Sequence, residues 1–359
     1  MLPRRAMLGL GLAATAAAAL PLRSARADAN VIANATIAAS PQMTSGQRFK
    51  KSGKLRIGFS NGFSGNTWRT ECLASLRQEA ANRPDIADLI VVDGQGSITK
   101  QVNDIGDLVT QQVDAILCIA NSATAVVPAL RRATREGIAT VPFNLPVEGE
   151  DWCAYVGTDP TKKGRMLGTY LRDALNGKGN IVALGGLPGN SYTAACWAGT
   201  QETLGSGIKV LAFAPASWQE DKAKIIMADW LTAYPNIDGV WADGGMDSAG
   251  AVEAMLAAGR KLVPVTGDDY NGILKLHAKQ QASQPDFKIG LVSEPTWESV
   301  IALRTALDLL AGKDVPKQQT IVPQLITDAN STTYIKSNLP DGVYVDTTLS
   351  DAELAKLFR

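Results

Sequence analysis

Short apolar runs alternate with amphipathic stretches of helical length from Leu55 onward. The first four runs are rich in Ile, Val and Leu and lie at 55–60, 89–93, 115–120 and 140–143. Between them, apolar residues recur every three or four positions, so that Trp68, Cys72 and Leu76 share one helical face. Parallel strands need such crossover helices, because the chain must travel back before it pairs again. The pattern predicts an α/β fold with a doubly wound parallel sheet.

The same alternation starts a second time after residue 158. Strands are predicted at 180–184, 209–213, 239–242 and 262–265, with helices at 191–204, 220–234 and 247–258. Two arrays of matching size indicate two similar lobes. The chain crosses between them near Asp159, after a predicted strand at 288–292, and along a predicted strand at 320–326. We therefore predict two doubly wound lobes joined by a multi-strand hinge that opens and closes about a cleft.

These crossings divide the chain into lobes that each contain two segments. The predicted N-terminal lobe comprises residues 55–158 and 294–322, and the predicted C-terminal lobe comprises residues 159–293 and 323–359. Residues 330–359 carry apolar residues in pairs and a short terminal helix, and we interpret them as a strap packed over the lobes. Residues 28–54 show no sustained apolar period and are interpreted as a leader arm ahead of the first strand.

The chain begins with the pattern of an export signal. Two arginines at positions 4 and 5 precede an Ala-rich apolar run, and a small-residue cleavage motif ends at Ala27. We expect residues 1–27 to be removed as a signal peptide after Sec or twin-arginine export to the periplasm. A membrane anchor would need about 20 unbroken apolar residues, which this run does not provide.

The charge balance limits the choice of partner. The chain has 35 Lys and Arg residues and 35 Asp and Glu residues. A neutral chain builds no positive field for nucleic acid or an anionic membrane, so we expect a small, neutral or weakly charged ligand. The four cysteines are widely spaced and form no Cys-x-x-Cys pair, which gives no support for a zinc or redox site. We expect no cofactor and no metal, and leave open whether a disulfide forms.

Polar residues follow the predicted strands, at the edge where open α/β sheets bind ligands. The candidates are Asn66, Trp68, Arg69, Asn144, Asp159, Asn190, Tyr192, Asp243, Asp268 and Ser293. A sugar or polyol needs an aromatic plate against its C–H faces and planar polar groups for its hydroxyls. Trp68 offers the plate, with Asn66, Asn144 and Asp268 as polar partners.

Three segments resemble the ribose-type periplasmic sugar-binding proteins of type I fold. They are the loop before Trp68, the segment that ends at Asp159, and the sequence Val-Thr-Gly-Asp-Asp that contains Asp268. The similarity runs from about residue 55 to residue 326. It implies a monomeric solute-binding protein of an ABC importer, which passes its ligand to a membrane permease. It also implies that Asn66 bonds the ligand, that Trp68 stacks on the sugar ring, and that Asp268 accepts from two hydroxyls.

The chain departs from that family at several positions. Arg69 replaces a second aromatic residue, and Asn144 and Ser293 stand where the family has a carboxylate and a glutamine. Leu145 stands in the place of an arginine, and a second arginine is missing near Asn190 and Tyr192. Gly244 and Gly245 take the places of an asparagine and an aspartate. These changes indicate a ligand with fewer hydroxyls than a pyranose, such as a pentose, a polyol or another polar compound.

Alternative roles exist for several candidates. Trp297 is a second candidate for an aromatic plate, but its helical spacing with Ile301 favours core packing. Trp68 is also suited to core packing, and Arg69 is equally suited to a surface ion pair. Asp269 is expected to cap a helix, whereas Asp243 and Asp247 are each either cleft residues or caps.

The sequence offers little for catalysis. His277 is the single histidine and is interpreted as an exposed helix end, which gives little support for a Ser-His-Asp arrangement. An exported carbohydrate-active enzyme would need paired carboxylates, for which Asp243 and Asp268 are the pair to test. A sensor-coupled binding protein of the same fold is a further alternative. We predict a binding protein that catalyses no reaction.

Overall fold

The computed structural model describes residues 31–358 of the 359-residue chain. The predicted signal peptide, residues 1–27, lies outside the described residues. Among the residues described, each helix is too short or too polar to cross a membrane.

Strands and helices alternate along most of the described chain, as the apolar pattern predicted. The strands are β1 (Ile37–Ala39), β2 (Met43–Thr44), β3 (Leu55–Asn61), β4 (Ile86–Asp93), β5 (Ala115–Ile119), β6 (Ala139–Pro142), β7 (Tyr155–Gly157), β8 (Gly179–Gly185), β9 (Ile208–Pro215), β10 (Gly239–Ala242), β11 (Val265–Gly267), β12 (Ile289–Val292), β13 (Val315–Pro316), β14 (Gln318–Ile321) and β15 (Leu325–Thr327). The helices are α1 (Thr67–Ala81), α2 (Ile98–Thr110), α3 (Val127–Arg135), α4 (Pro160–Ala174), α5 (Ser191–Leu204), α6 (Glu220–Ala233), α7 (Gly245–Ala257), α8 (Asn271–Gln280), α9 (Glu298–Leu310) and α10 (Asp351–Leu357). Two 3₁₀ turns lie at Gln47–Phe49 and Ser331–Thr333.

The N-terminal lobe is built on a four-stranded parallel sheet. Its strand order is β4-β3-β5-β6. Every residue of β5 is buried, because helices cover both faces of the sheet and the strand therefore reads as a continuous apolar run. Helix α9 comes after β12, a strand of the C-terminal lobe, but returns to pack against α1 and β6 of the N-terminal lobe.

The C-terminal lobe contains a six-stranded sheet in the order β15-β12-β11-β10-β8-β9. Five of its strands are parallel neighbours, and β15 pairs antiparallel with β12 at one edge. The predicted fold class, two α/β lobes with parallel sheets, is confirmed. In both sheets the carboxyl ends of the strands lead into the loops that face the opposite lobe.

The lobes are connected by a small sheet with the order β1-β14-β7. The segment predicted as one strand at 320–326 is divided, because β14 pairs in this hinge sheet whereas β15 joins the C-terminal sheet. Residues 31–54, part of the predicted leader arm, also belong to the fold. Strand β1 pairs with β14, β2 pairs with β13, and Phe49 is buried. These strands of two and three residues are too short to show an apolar period.

The C-terminal strap forms hydrogen bonds with both lobes. On the C-terminal lobe, the Asn271 backbone N–H donates to the carbonyl of Val343. On the N-terminal lobe, the carboxylate of Glu71 accepts from the backbone N–H of Tyr344 at 2.7 Å. Beyond these contacts, a capping box formed by Ser350 and Glu353 starts α10.

The strap also changes the environment of the single histidine. His277 was predicted at an exposed helix end, but its side chain is buried. Its ring lies 5.4 Å from the ring of Phe287, and its Nδ1 lies 3.4 Å from the hydroxyl of Ser331. The prediction of exposure was wrong because Ser331 and the residues after it cover this helix. The four cysteines are buried and free, as core residues.

Helices α4 and α5 pack so closely that glycine is required at the contact. A Cβ atom added to Gly164 would lie 1.8 Å from the carbonyl oxygen of Cys196. We expect Gly164→Ala to lower the free energy of unfolding by about 1 to 3 kcal/mol, since either helix must move. Gly106→Ala is the control, because Gly106 lies in α2 with no atom within 4 Å of the added carbon. That control should be neutral or stabilising in urea unfolding, and equal losses in both variants would contradict the close contact.

Candidate functional site

A cavity lies between the lobes at the carboxyl ends of both sheets. Its free space, including the part that is open to solvent, is about 390 Å³. Its lining residues are Trp68, Arg69, Asn144, Leu145, Lys163, Tyr192, Trp218, Asp243, Asp268, Glu294 and Tyr344. These residues come from both lobes, from the crossing after β12 and from the strap. The structure therefore brings Trp68 and Asp268, from opposite lobes, to one cavity.

The N-terminal wall is formed by the first turn of α1. The indole Nε1 of Trp68 donates to the backbone carbonyl of Glu294 at 2.8 Å, which fixes the plane of the ring. Arg69 is buried rather than part of a surface ion pair, and its Nη1 donates to Asn61 Oδ1 at 2.9 Å. Burial lowers the pKa of Arg69 to about 10, so the guanidinium is charged at neutral pH. This wall presents an aromatic ring and a cation to the cavity.

Four of the predicted site residues lie outside the cavity lining because their side chains have local partners. Asn66, Asp159 and Asn190 are N-caps of α1, α4 and α5. Their side-chain oxygens accept from free backbone N–H groups of the first helical turn, which satisfies donors that have no partner within the helix. The Ser293 hydroxyl accepts from the backbone N–H of Gln324 at 3.0 Å. A polar residue directly after a strand is thus often the cap of the next helix.

Glu294 is the centre of the hydrogen-bond network, although no pattern in the sequence indicated it. Its Oε1 accepts from Asn144 Nδ2 at 3.0 Å and from the Thr158 hydroxyl at 3.2 Å. Its Oε2 accepts from Lys163 Nζ at 3.0 Å and from the Tyr192 hydroxyl at 2.5 Å. Side chains of successive residues in an extended segment point to opposite sides. Glu294 therefore faces the cavity, whereas the preceding residue, Ser293, does not. One carboxylate therefore joins both lobes and the hinge.

Lys163 is the second lining residue that the sequence pattern did not indicate. It lies in the first turns of α4, where a lysine is ordinarily solvated, yet its side chain is 1% exposed. Its Nζ also lies 5.3 Å from the centre of the Tyr192 ring. Burial opposes its charge, but the carboxyl groups of Glu294, Asp268 and Asp243 outweigh burial and hold the pKa of Lys163 above its ordinary value. The ammonium is therefore charged inside the cavity.

Trp218 provides a second indole, on the C-terminal wall. Ser217 and Trp218 have φ angles of 63° and 53°, a left-handed conformation that is costly for residues with a side chain. The indole lies against two glycines, since a Cβ at Gly186 or Gly244 would come within 2.2 or 2.6 Å of the ring. Its Nε1 donates to Asp243 Oδ1 at 3.0 Å. The strained turn and Gly244, noted above as a departure, both position this ring.

The acidic side chains of the C-terminal lobe divide into cavity residues and structural residues. Asp243 and Asp268 line the cavity, and Asp268 Oδ1 accepts from the Gly245 N–H at 2.6 Å. Burial raises the pKa of Asp268 to about 7, although the charge of Lys163 opposes this. Asp247 lies buried in the first turn of α7, outside the cavity lining, and burial raises the pKa of its carboxyl group well above the ordinary value.

Asp269 was expected to cap a helix, and that prediction was wrong. Its Oδ1 accepts from the backbone N–H of Glu294, and its Oδ2 accepts from that of Asp346, each at 2.7 Å. Asp269 therefore ties the crossing segment to the strap, which brings Tyr344 to the cavity. Trp297 is buried outside the cavity lining, where its indole N–H donates to Asp346.

The lining suits non-covalent recognition of hydroxyl groups. Two indoles offer apolar faces, while Arg69 and Asn144 offer N–H donors and Asp268 an acceptor. Among residues 31–358, no group of three or more His, Cys, Asp and Glu side chains is placed to hold a metal ion.

The sequence of this chain is similar to those of known periplasmic binding proteins. Residues 57–314 match a family model described as a periplasmic binding protein domain. The chain is 32% identical over 247 residues to a xylitol-binding protein of Mycolicibacterium smegmatis, covering 68% of this chain and 69% of the relative. It is 26% identical over 266 residues to a ribose import binding protein of Bacillus subtilis, covering 74% and 84%.

A solved structure shows the same architecture. It is an ABC transporter periplasmic solute-binding protein from Actinobacillus succinogenes with bound D-allose. The TM-score is 0.68 and the identity is 26%, over 78% of this chain and 100% of that one. The resemblance to ribose-type sugar-binding proteins is thus confirmed. By its sequence, its two lobes and the cavity between them, this chain belongs to the periplasmic binding protein family.

Proposed function

We propose that this protein binds a small polyol or sugar between its lobes and presents the closed complex to the membrane permease of an ABC importer. The observation that carries the proposal is the cavity itself, in which indoles from both lobes accompany donors and acceptors for hydroxyl groups. The names of the relatives, which include xylitol- and ribose-binding proteins, support this ligand class.

The proposed action is binding and closure without catalysis. Glu294 and its donors already join the lobes across the hinge, so the ligand needs only to stabilise an existing closed arrangement. A ligand shifts such an equilibrium only by its differential affinity for the closed state. Contacts to Trp68 on one lobe and Asp268 on the other provide that difference, because both are made only when the cleft is closed. We further propose a periplasmic monomer that is exported by its predicted signal peptide.

A ligand screen tests this function. Thermal unfolding of the mature protein is followed with glycerol, four- and five-carbon alditols, pentoses, hexoses and inositols, and hits are measured by calorimetry. We expect a rise in the melting temperature for a subset of these compounds, because binding to the folded state alone stabilises it. Trp68 and Trp218 line the cavity, so binding should also change tryptophan fluorescence. Failure of every compound to shift the melting temperature, or turnover of one of them, would refute the proposal.

The pKa of Asp268 predicts how affinity depends on pH. Burial raises this pKa to about 7, while Lys163 and the Gly245 N–H favour the charged form and Glu294 and Asp243 oppose it. A ligand hydroxyl that donates to the carboxylate stabilises the ionised form. Affinity should therefore rise as the pH approaches about 7 and level off above it. Calorimetry from about pH 5 to about pH 9 checks this; affinity that falls across pH 7 would show that the protonated acid is the donor.

A further inference from the structure

The charged groups of the cavity are distributed unevenly between its two walls. Two cations, Arg69 and Lys163, and three carboxyl groups, Asp243, Asp268 and Glu294, line the space. Arg69 lies on the N-terminal wall, where its guanidinium donates to the neutral side chain of Asn61. The carboxyl groups therefore face a single nearby cation, Lys163.

Lys163 is placed where a lysine lowers stability. It lies in the first turns of α4, at the end of the helix whose dipole disfavours a positive charge. It is also buried, and the loss of hydration opposes its charge. A buried ion pair seldom stabilises a protein more than apolar residues of the same volume. The pair with Glu294 at 3.0 Å is therefore better explained by function than by stability.

We propose that Lys163 sets the charge specificity of the binding site, so that the cavity accepts uncharged polyols and rejects their amino counterparts. The side chain places an ammonium group among the carboxyl groups of Glu294, Asp268 and Asp243, where the ammonium of a ligand would otherwise bind. A neutral hydroxyl ligand uses the acceptors that remain, whereas a second cation there is repelled. This inference rests on the proposed function and adds a selectivity that the family match does not assign.

The test compares affinities for matched pairs of compounds that differ by one amino group. The pairs are glycerol with serinol, glucose with glucosamine, and ribitol with 1-amino-1-deoxyribitol. The wild-type protein should bind the neutral member of a pair more tightly. In Lys163→Met/Glu294→Gln the cation is absent and Asp243 and Asp268 remain. We expect the ratio of affinities to shift toward the amine by about tenfold or more, the usual effect of one charged hydrogen bond.

The double variant is the main probe because it removes both members of the 3.0 Å ion pair between Lys163 and Glu294 together. Lys163→Met alone keeps Glu294, so its cavity has one more carboxyl group than that of the double variant. If this variant folds, its ratio of affinities should shift toward the amine at least as far. Lys162→Met is the matched control, since Lys162 is the exposed neighbour in the same helix, and its ratio should equal that of the wild type.

The outcomes separate this inference from the proposed function. An unchanged ratio in the double variant, or a wild-type preference for the amines, overturns the role of Lys163 while the binding function stands. Lack of binding by every neutral and amino compound to the wild type refutes both. A shift confined to the double variant and the single Lys163 variant supports the inference, because a merely structural residue would weaken both members of a pair equally.

Discussion

Glu294→Gln should lower the free energy of unfolding by about 3 to 5 kcal/mol, the usual cost of leaving one partner of a buried ion pair uncompensated. The substitution keeps the shape of the side chain but removes its charge. Lys163 would then be a buried ammonium without its 3.0 Å partner. Urea unfolding followed by circular dichroism measures the loss.

Two further variants show whether this loss comes from the charge. Adding Lys163→Met to Glu294→Gln should recover most of the stability, since the buried cation is then also removed. Glu202→Gln should have little effect, because the ion pair between Glu202 and Arg165 is about half exposed and solvent screens it. The interpretation fails if the double variant is less stable than Glu294→Gln.

Asp268→Asn should weaken ligand binding by about tenfold to a hundredfold, which corresponds to about 1.5 to 3 kcal/mol for a hydrogen bond to a charged group. Asparagine keeps an oxygen that can accept from the Gly245 N–H, so the fold should be retained. It replaces the second acceptor oxygen with a donor, which a hydroxyl donor cannot use. Calorimetry with the best ligand from the screen measures the change, and melting temperature confirms folding.

Asp286→Asn is the control for this measurement. Asp286 lies on the surface of the same lobe in an exposed ion pair with Lys261, away from the cavity. The ligand affinity of Asp286→Asn should match that of the wild type. The pH dependence of affinity predicted above should be absent in Asp268→Asn and present in both Asp286→Asn and the wild type. Equal affinity of Asp268→Asn and the wild type would remove Asp268 from the binding site.

Position along the chain explains why some cavity residues could be predicted and others could not. Trp68, Asn144 and Asp268 follow strand ends, and the rule that ligands bind at carboxyl ends of strands is sufficient to select them. The same rule also selected Asn66, Asp159 and Asn190, because the residue before a helix is a cap as readily as a ligand contact.

The cavity residues that the sequence pattern did not indicate were missed for a different reason. Lys163 and Trp218 are of types that are often found on surfaces or in cores, and their direction depends on distant elements. The Ala-Ser-Trp turn after β9 is a signal for Trp218, since an aromatic residue follows a strand there. Tyr344 had no such signal, because it reaches the cavity only through the bonds of its strap to Glu71 and Asp269.

The amino-acid pattern is sufficient to predict the two α/β lobes and the edge of each sheet at which a ligand would bind. Both follow from local physics, because apolar periodicity and turn residues act within a few positions along the chain. The tertiary structure alone decided the charge of the site. Whether Lys163 faces Glu294 or water depends on contacts between segments more than 130 residues apart, such as their 3.0 Å hydrogen bond. Such contacts leave no periodic pattern in the chain.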